Sequence, residues 1–274
     1  MKLQQGKIAF ITGGANGIGA AAARMLAEYG VQVVSFDRDD AANQKLAAQS
    51  SLIHPVSCDC TDYSQIRGCF QFAVEKLGGV DILINNAGDF VFSSFLKDSY
   101  PEGLQGLEHM LRLFVGSTYA FTLLAAPILA ARQGAVINVL TNHVHRDICR
   151  VSPEEHSYDA AKYAQMSLNM SMAAELHPMG VRVNAVDPAA TYTKMLTDFF
   201  TAKGMPATVE SIAKTTRVGS LMLPEDVALA ICNLIGWEDP APVGQNYLLR
   251  SQEDCIRLKH PPQEVSCEKS HDTI

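Results

Sequence analysis

Short apolar runs alternate with helical segments along almost the whole chain, and no other feature constrains the fold as strongly. The first runs are KIAFIT, VQVVSF and SLIHPVSC, and the later ones are VDILIN, GAVINVL, VRVNAV and GQNYLLR. Strands that alternate with helices are typical of a parallel sheet covered by helices on both faces. We therefore predict an α/β protein with a doubly wound parallel sheet in three layers.

The composition fits a globular protein with a sizeable core, since 47% of the 274 residues are hydrophobic and 19% are charged. The net charge of −7 argues against a nucleic-acid partner, and no basic run suggests binding to anionic lipid. The N-terminal MKLQQGKIAF lacks the apolar core and cleavage site of a signal peptide, so we expect a cytoplasmic protein.

One stretch, residues 113–131, carries no charge and nearly reaches the length of a membrane span. Glycine, serine, threonine and proline residues dilute it, and the segments around it have a soluble pattern. We interpret it as a helix buried inside the protein or at a subunit interface, and we expect no membrane partner.

The seven cysteines are scattered, which does not suggest a disulfide framework and favours reduced thiols. Cys58 and Cys60 have the spacing of two metal ligands, but no second pair follows them at ligand spacing. The sequence therefore predicts no metal site.

The segment TGGANGIG, Thr12 to Gly19, lies between the first apolar run and the first helix. Gly13 permits a tight turn, Gly17 lets the backbone approach a pyrophosphate, and Gly19 lets the helix pack close to the sheet. The N–H groups at the start of the helix would then face the phosphates. An ordinary glycine turn is the alternative, but strand, glycines and helix occur here in the order of a dinucleotide-binding Rossmann fold.

Asp37 ends the second apolar run, at about the distance from the glycines where an acid can bind the ribose hydroxyls of the adenosine. A 2′-phosphate there would meet a like charge, which favours NAD over NADP. The neighbouring Arg38 weakens this preference, because an arginine can accommodate a phosphate. A solvated acid at the end of a strand is the alternative interpretation.

Tyr158 and Lys162 lie four residues apart in SYDAAKYAQ, so both side chains leave one face of a helix. A phenol has a reference pKa of about 10, and a nearby ammonium favours the phenolate. The pair is common by chance, so its meaning depends on the rest of the chain.

Four segments, TGGANGIG, DILINNAG, SYDAAK and VNAVDPAATYT, occur in the order found in the short-chain dehydrogenases/reductases, and the chain resembles this family from about Lys7 to Arg250. The resemblance implies that Tyr158 is the catalytic acid/base, that Lys162 tunes it and holds the nicotinamide ribose, and that Thr141 stands where a serine usually orients the substrate oxygen. It implies cofactor-binding roles for Gly13, Asn16, Gly17, Ile18, Gly19, Asp37, Asp59, Cys60, Asn86, Ala87, Gly88, Tyr158, Lys162 and Thr193.

Thr141 itself departs from the family pattern, and a strand-end threonine with no role is the alternative interpretation there. Two more positions also depart from the pattern. The family often has an asparagine on the long helix, where it holds a water that links the lysine to solvent, and the alignment places Leu113 there. Ala189 follows the proline after which the family often has glycine. The loop between Thr141 and Tyr158 is longer and more charged than expected, and its three histidines are open either to a role at the site or to plain exposure: His143, His145 and His156.

No linker or repeat divides the chain, so we predict one dinucleotide-binding and catalytic domain over residues 1–250 with a substrate lid at about 189–220. Residues 251–274 are predicted to form a loose polar tail or a loop that reaches a neighbouring subunit. Aromatic and apolar residues that follow the strands would suit a cyclic substrate or pack the lid: Phe90, Phe92, Phe95, Tyr192, Met195, Leu196, Phe199 and Phe200.

Our leading hypothesis is an NAD-dependent oxidoreductase that acts on a secondary alcohol or its ketone, of steroid, dihydrodiol or secondary-metabolite type. The rival is a cofactor-binding protein of the same fold that has lost redox turnover or performs non-redox chemistry, as a sensor or a partner subunit. Helices Glu102–Arg132 and Tyr158–His177 are apolar on more than one face, which together with the family resemblance predicts a homodimer or homotetramer.

Overall fold

A single seven-stranded sheet organises the computed structural model, which describes residues 5–145, 147, 153–216, 219–236 and 243–259. The strand order is β3-β2-β1-β4-β5-β6-β7, and every neighbouring pair is parallel, as predicted. The strands are β1 (Ile8–Thr12), β2 (Gln32–Asp37), β3 (Ile53–Ser57), β4 (Ile82–Asn85), β5 (Ala135–Val139), β6 (Arg182–Pro188) and β7 (Asn246–Leu249).

Helices connect the strands and cover both faces of the sheet. They are α1 (Gly17–Glu28), α2 (Asp40–Ala47), α3 (Tyr63–Leu77), α4 (Tyr100–Met110), α5 (Ser117–Arg132), α6 (His156–Leu176), α7 (Lys194–Ala202), α8 (Val209–Thr215), α9 (Pro224–Gly236) and α10 (Gln252–Arg257). The predicted alternation of strands and helices is therefore confirmed.

Two hydrophobic clusters form the core, one on each face of the sheet. On one face the alanine-rich side of α1 packs close to the sheet and to α9, because alanines let helix and strands approach closely. On the other face Phe10, Phe36, Phe70 and Phe121 meet edge to face, with ring centroids 5.1 to 6.3 Å apart. Aromatic burial of this kind supplies a large part of the hydrophobic stabilisation of a core.

Helices α4 and α5 form one continuous helix, joined by a π-helical turn at Leu111–Gly116. The sequence predicted one helix over Glu102–Arg132, and it did not predict the π-turn. By length and composition the 33-residue helix Tyr100–Arg132 could cross a membrane. Here one side of it belongs to the protein core, with Phe114, Phe121 and Leu129 buried. That the protein has no membrane partner stays a prediction.

Four asparagines form a hydrogen-bonded chain through the interior. Asn85 of β4 donates to Asn138 of β5 at 2.8 Å, and Asn138 donates to Asn169 of α6 at 2.8 Å. Asn169 then donates to Asn246 of β7 at 3.0 Å. Buried amides need such partners, because an unsatisfied buried polar group costs about 1–3 kcal/mol. This row of hydrogen-bonded asparagines links α6 to the strands β4, β5 and β7.

The C-terminal segment differs from the predicted loose tail where the structure describes it. Ser251 caps α10 through its hydroxyl, and within and just after this helix Cys255 and Leu258 are buried against the α9 side of the core. A helix forms because these two apolar side chains lie three positions apart and share one face. The rest of the predicted tail, from residue 260 onward, lies outside the described residues.

Candidate active site

The carboxyl ends of the parallel strands meet at one edge of the sheet, and the predicted site residues follow these ends. At this edge Thr12 joins two loops, because its hydroxyl oxygen accepts hydrogen bonds from the backbone N–H groups of Asn86 and Ala87, both at 3.0 Å. The Asn86 amide also donates to the Gly13 carbonyl oxygen at 2.8 Å. The glycine loop and the NNAG segment are thereby held as one unit.

Steric contacts explain why glycines are needed in the loop. Gly13 has φ +62°, and a Cβ atom there would lie 2.7 Å from the Ala87 Cα atom. A Cβ atom at Gly19 would lie 2.2 Å from the Gly13 carbonyl oxygen. Gly17 has φ +52°, and a Cβ atom there would approach the Thr193 methyl group to 3.1 Å. Side chains are excluded where the backbone folds back on itself and where it meets Thr193.

The N-terminus of α1 is built to receive an anion. Within the described part of the chain, no side chain caps this helix and its first turn contains no acidic residue. Asn16, Gly17 and Ile18 border the neighbouring cavity. Unpaired N–H groups and the helix dipole favour a negative group at this position. The residues present therefore fit the pyrophosphate of a dinucleotide.

A cavity of about 510 Å³ extends from this helix end along the strand ends to α7 and α8. It brings together ten of the predicted site residues: Gly13, Asn16, Gly17, Ile18, Asn86, Gly88, Thr141, Tyr158, Lys162 and Thr193. Both helices of the predicted lid, α7 and α8, contribute to its wall. The geometry thus groups the glycine loop with the Tyr158–Lys162 pair, although the two are far apart in sequence.

Five predicted cofactor residues do not border this cavity. Gly19 and Ala87 serve the loop contacts described above, and Cys60 is buried. The carboxylate of Asp37 accepts hydrogen bonds from the N–H groups of Ala15 and Asp39, each at 2.9 Å. The Asp59 carboxylate accepts two bonds within its own turn, from the Thr61 N–H and hydroxyl groups at 2.8 Å.

Arg38, which weakened the preference for NAD, has an acidic partner in the structure. Its guanidinium donates to the Asp89 carboxylate at 2.8 Å. This hydrogen bond, together with the charges of Asp89, Asp59 and Asp37, raises the pKa of Arg38 above its ordinary value, against the opposing effect of burial. The guanidinium at the end of β2 is thus surrounded by carboxylates.

Lys162 is buried deeply, and its ammonium group faces three partners. It donates to the Val139 carbonyl oxygen at 2.8 Å and to the Gln165 side-chain oxygen at 3.1 Å. It also lies 3.9 Å from the centre of the Phe114 ring, a cation–π contact. Burial lowers the pKa of Lys162 to about 7, while the charge of Asp187 opposes that change.

Tyr158 is also buried, and burial raises the pKa of its phenol above the ordinary value. A hydrogen bond with the Thr141 side chain opposes the rise, whereas the charges of Asp159 and Glu155 add to it. The sequence expectation that Lys162 lowers this pKa is not met in the structure. The reason is that the Lys162 nitrogen lies 6.0 Å from the centre of the Tyr158 ring and is bonded elsewhere.

Leu113, at the position where the family often has asparagine, points into the core. It is 6% exposed and belongs to the hydrophobic cluster that also contains Tyr158. Its backbone carbonyl oxygen accepts a hydrogen bond from the Ser117 hydroxyl. The π-helical turn therefore contributes apolar packing at this position, as the apolar pattern of the helix indicates.

The sequence did not predict a hydrogen-bonded pair of histidine and acid next to the site. His145 Nε2 lies 2.7 Å from the Asp187 carboxylate, whose side chain is fully buried. The hydrogen bond to Asp187 raises the pKa of His145, and burial raises the pKa of Asp187. His145 had been singled out in the loop, but its partner lies 42 residues away and only the fold brings the two together.

Two acids that the sequence did not pair with His143 lie beside its ring. Its Nδ1 atom lies 2.8 Å from Asp159 and 3.6 Å from Glu155, and these two acids flank Tyr158 in the sequence. The third histidine, His156, stacks on Phe95 with ring centroids 4.4 Å apart and does not border the cavity. The only sequence signal for this group was the unusual charge of the loop.

Comparisons with known proteins agree with this fold. A profile described as short chain dehydrogenase matches residues 7–204. The chain belongs to the short-chain dehydrogenase family, a family of oxidoreductases that use nicotinamide cofactors.

Relatives of known sequence and structure cover most of the chain. Short-chain dehydrogenase reductase 3b of Arabidopsis thaliana is 30% identical over 252 residues, which are 89% of this chain and 94% of the relative. (+)-Borneol dehydrogenase 1 of Salvia officinalis is 31% identical over 250 residues, 90% of this chain and 94% of the relative. The 3-ketoacyl-(acyl-carrier-protein) reductase of Brucella melitensis, crystallised with NADH, has a TM-score of 0.76 at 25% identity and covers 89% of this chain and 97% of its own.

The pair of His145 and Asp187 predicts a pH-dependent contribution to stability. A histidine whose pKa rises on folding stabilises the fold while protonated, so the contribution is complete below its ordinary pKa and is lost as the pH rises through the raised value. We expect His145→Ala to lower the free energy of unfolding by about 2 kcal/mol at pH 6, because Asp187 stays buried without its partner. The difference from wild type should shrink at pH 9.

Urea unfolding followed by circular dichroism at both pH values measures this difference. His177→Ala is the control, because His177 is exposed and lies at the far end of α6. A loss for His145→Ala that is equal at the two pH values would contradict the assignment.

Proposed function

We propose that the protein is an NAD(H)-dependent oxidoreductase that interconverts a secondary alcohol and its ketone on an apolar, cyclic substrate. One observation carries the proposal: a single cavity contains the uncapped N-terminus of α1 and the buried pair of Tyr158 and Lys162. The first suits a dinucleotide phosphate and the second suits proton transfer at the reacting oxygen.

Different residues of the chain are assigned to different parts of the cofactor. The backbone N–H groups at Asn16, Gly17 and Ile18 would donate hydrogen bonds to the pyrophosphate. The Asp37 carboxylate would accept hydrogen bonds from the adenosine ribose hydroxyls. Lys162 holds the nicotinamide ribose, and Thr193 contacts the carboxamide. A bound nicotinamide supplies or accepts the hydride.

Proton transfer is assigned to Tyr158. Its raised pKa keeps the phenol protonated near neutral pH, so it can donate a proton to a substrate carbonyl oxygen. Thr141, hydrogen-bonded to Tyr158, orients the same oxygen. In the reverse direction the phenolate accepts the proton of the alcohol, so the raised pKa favours alcohol oxidation at alkaline pH. The methyl group of threonine leaves its hydroxyl available for the role that the family gives to serine.

Aromatic rings next to Tyr158 support an apolar substrate. Phe90 lies 5.3 Å from Tyr158 and 5.0 Å from Phe199, measured between ring centroids, and Phe199 stacks on Phe92. Phe90, Phe199 and Phe200 border the cavity with Met195 and other apolar residues of α7. The name of the Salvia officinalis relative, a borneol dehydrogenase, supports a substrate of secondary-metabolite type.

We expect Tyr158→Phe to reduce kcat for ketone reduction at least 100-fold while NADH still binds, because the ring keeps its packing and only the acid is lost. Initial rates with a panel of cyclic ketones measure the first effect, and NADH fluorescence measures the second. Tyr29→Phe, at an exposed tyrosine that follows α1, is the control.

The test also separates this function from its rival, a cofactor-binding sensor or partner subunit. Full turnover by Tyr158→Phe would refute the assignment of the acid. A wild-type protein that binds NADH but reduces no ketone of a broad panel would favour the rival.

The acidic surroundings of the β2 end support NAD over NADP. Asp37 occupies the position expected to face the adenosine ribose, and Arg38 is bonded to Asp89. A 2′-phosphate would meet the charge of Asp37 and compete with Asp89 for the arginine.

We expect wild type to prefer NADH, and Asp37→Ala to lower the ratio of kcat/KM for NADH to that for NADPH at least tenfold, because the repulsion and the ribose acceptor are both lost. Asp40→Ala, an exposed acid in the first turn of α2, is the control. A ratio that does not change in Asp37→Ala would contradict the assignment.

We further propose a homo-oligomer that pairs α5 and α6 with their counterparts across a twofold axis. Apolar side chains stay exposed on the outer faces of these helices: Tyr119 is 56%, Leu123 62% and Met170 59% exposed. Apolar surface of this kind gains about 25 cal/mol per Å² when a partner covers it.

Light scattering at micromolar concentration should give a mass at least twice 29.7 kDa. Leu123→Glu should lower that mass, because the acid would be buried in the contact, whereas Phe72→Glu on the exposed face of α3 should not. A wild-type mass near 29.7 kDa, the mass of one chain, would contradict the prediction.

A further inference from the structure

His143 lies in a polar group that the proposed mechanism does not use. Its Nδ1 atom is 2.8 Å from Asp159 Oδ1 and 3.6 Å from Glu155 Oε2. All three polar atoms lie within 4.8 Å of one another. Both acids are buried, while the His143 side chain is 26% exposed. The imidazole is therefore the member of the group that a ligand can reach.

The contact with Asp159 fixes which ring nitrogen a ligand meets. A carboxylate can only accept, so Nδ1 carries the proton and donates to Asp159 in the neutral form of the imidazole. Nε2 then presents a lone pair, and within the described part of the chain no residue is bonded to it. An imidazole held in this way is an oriented hydrogen-bond acceptor.

His143 stands next to the reacting groups. It borders the same cavity as Tyr158 and Thr141, and its ring centroid is 5.8 Å from that of Tyr158, with the rings nearly perpendicular. One small substrate can contact both rings. Phe90 and Phe199 border the same cavity and offer apolar contacts, and the Lys203 ammonium lies 5.0 Å from the centre of the Phe199 ring.

We propose that His143, positioned by Asp159, is a specificity-determining residue that accepts a hydrogen bond from a hydroxyl on the carbon next to the reacting carbon. The preferred substrates are then cyclic α-hydroxyketones and the matching vicinal diols. This inference rests on the proposed function and adds a polar requirement for the substrate beside the reacting carbon.

The wild-type protein tests the requirement for a donor. With NADH, kcat/KM for 2-hydroxycyclohexanone should exceed that for cyclohexanone about tenfold, the value of one neutral hydrogen bond. 2-Methoxycyclohexanone keeps the oxygen but has no proton to donate, so it should behave like cyclohexanone. Equal values for the hydroxy- and methoxyketone would overturn the proposal while leaving the proposed function intact.

Two substitutions at one position test the nitrogen. His143→Asn keeps an amide near the place of Nδ1 but has no atom at Nε2, so the preference for the hydroxyketone should fall to about 1. His143→Gln can place a polar atom near Nε2 and should keep part of the preference. His156→Asn is the control outside the cavity and should keep all of it. An undiminished preference in His143→Asn would overturn the proposal.

Two other outcomes identify a different cause. If EDTA abolishes the preference and Zn²⁺ or Mn²⁺ restores it, the three side chains bind a metal ion, and a hydrogen bond from His143 to substrate is refuted. If wild type binds NADH but reduces neither these ketones nor larger cyclic ones, the proposed function itself fails, and this inference fails with it.

Discussion

Parallel pairing of all seven strands is the constraint on which the rest of the molecule depends. It sends every connection across a face of the sheet, and it places every strand's carboxyl end at one edge. Polar residues that a purely apolar core would not accommodate can lie at this edge, as Thr12, Asn86 and Thr141 do. The cavity needs no separate scaffold, since the loops that leave this edge already form its walls.

Helix α6 connects that edge to the interior through polar contacts. Its Lys162 is bonded to β5 and to Gln165, and Gln165 donates to Thr118 of α5 at 2.9 Å. One turn further along, Asn169 continues the asparagine chain to the sheet. Each buried amide has few alternative partners, so α6 cannot slide or rotate without breaking several bonds at once. The placement of Tyr158 and Lys162 thus depends in part on contacts outside the cavity lining, at Gln165 and Asn169.

The sequence predicted what local pattern controls. The β-branched and apolar runs became strands, and the glycines fell where a Cβ atom would clash with Ala87 or with the Gly13 carbonyl. It could not predict pairings between distant segments, such as His145 with Asp187, because periodicity carries no information about tertiary contacts. The orientation of Lys162 could not be predicted for a related reason. Its spacing places it beside Tyr158, but contacts with the Val139 carbonyl and the Phe114 ring determine where its ammonium points.

The short α10 was missed because its polar composition resembles a tail, and only two side chains anchor it. The catalytic and cofactor roles of the individual residues stay predictions.

The π-helical turn at Leu111–Gly116 makes the helix sensitive to its exact residue count. Each residue advances an α-helix by about 100°, and a π-turn absorbs one additional residue without shifting the segments on either side. Loss of one residue here would give a regular helix and leave α4 and α5 in place, but it would shift the residues of the turn itself, among them Phe114, whose ring lies 3.9 Å from the Lys162 ammonium. Such a deletion would cost little in helix stability, but it would disturb the contact between the Phe114 ring and Lys162. In this stretch, then, insertions and deletions are constrained by the geometry around one ammonium group rather than by the helix itself.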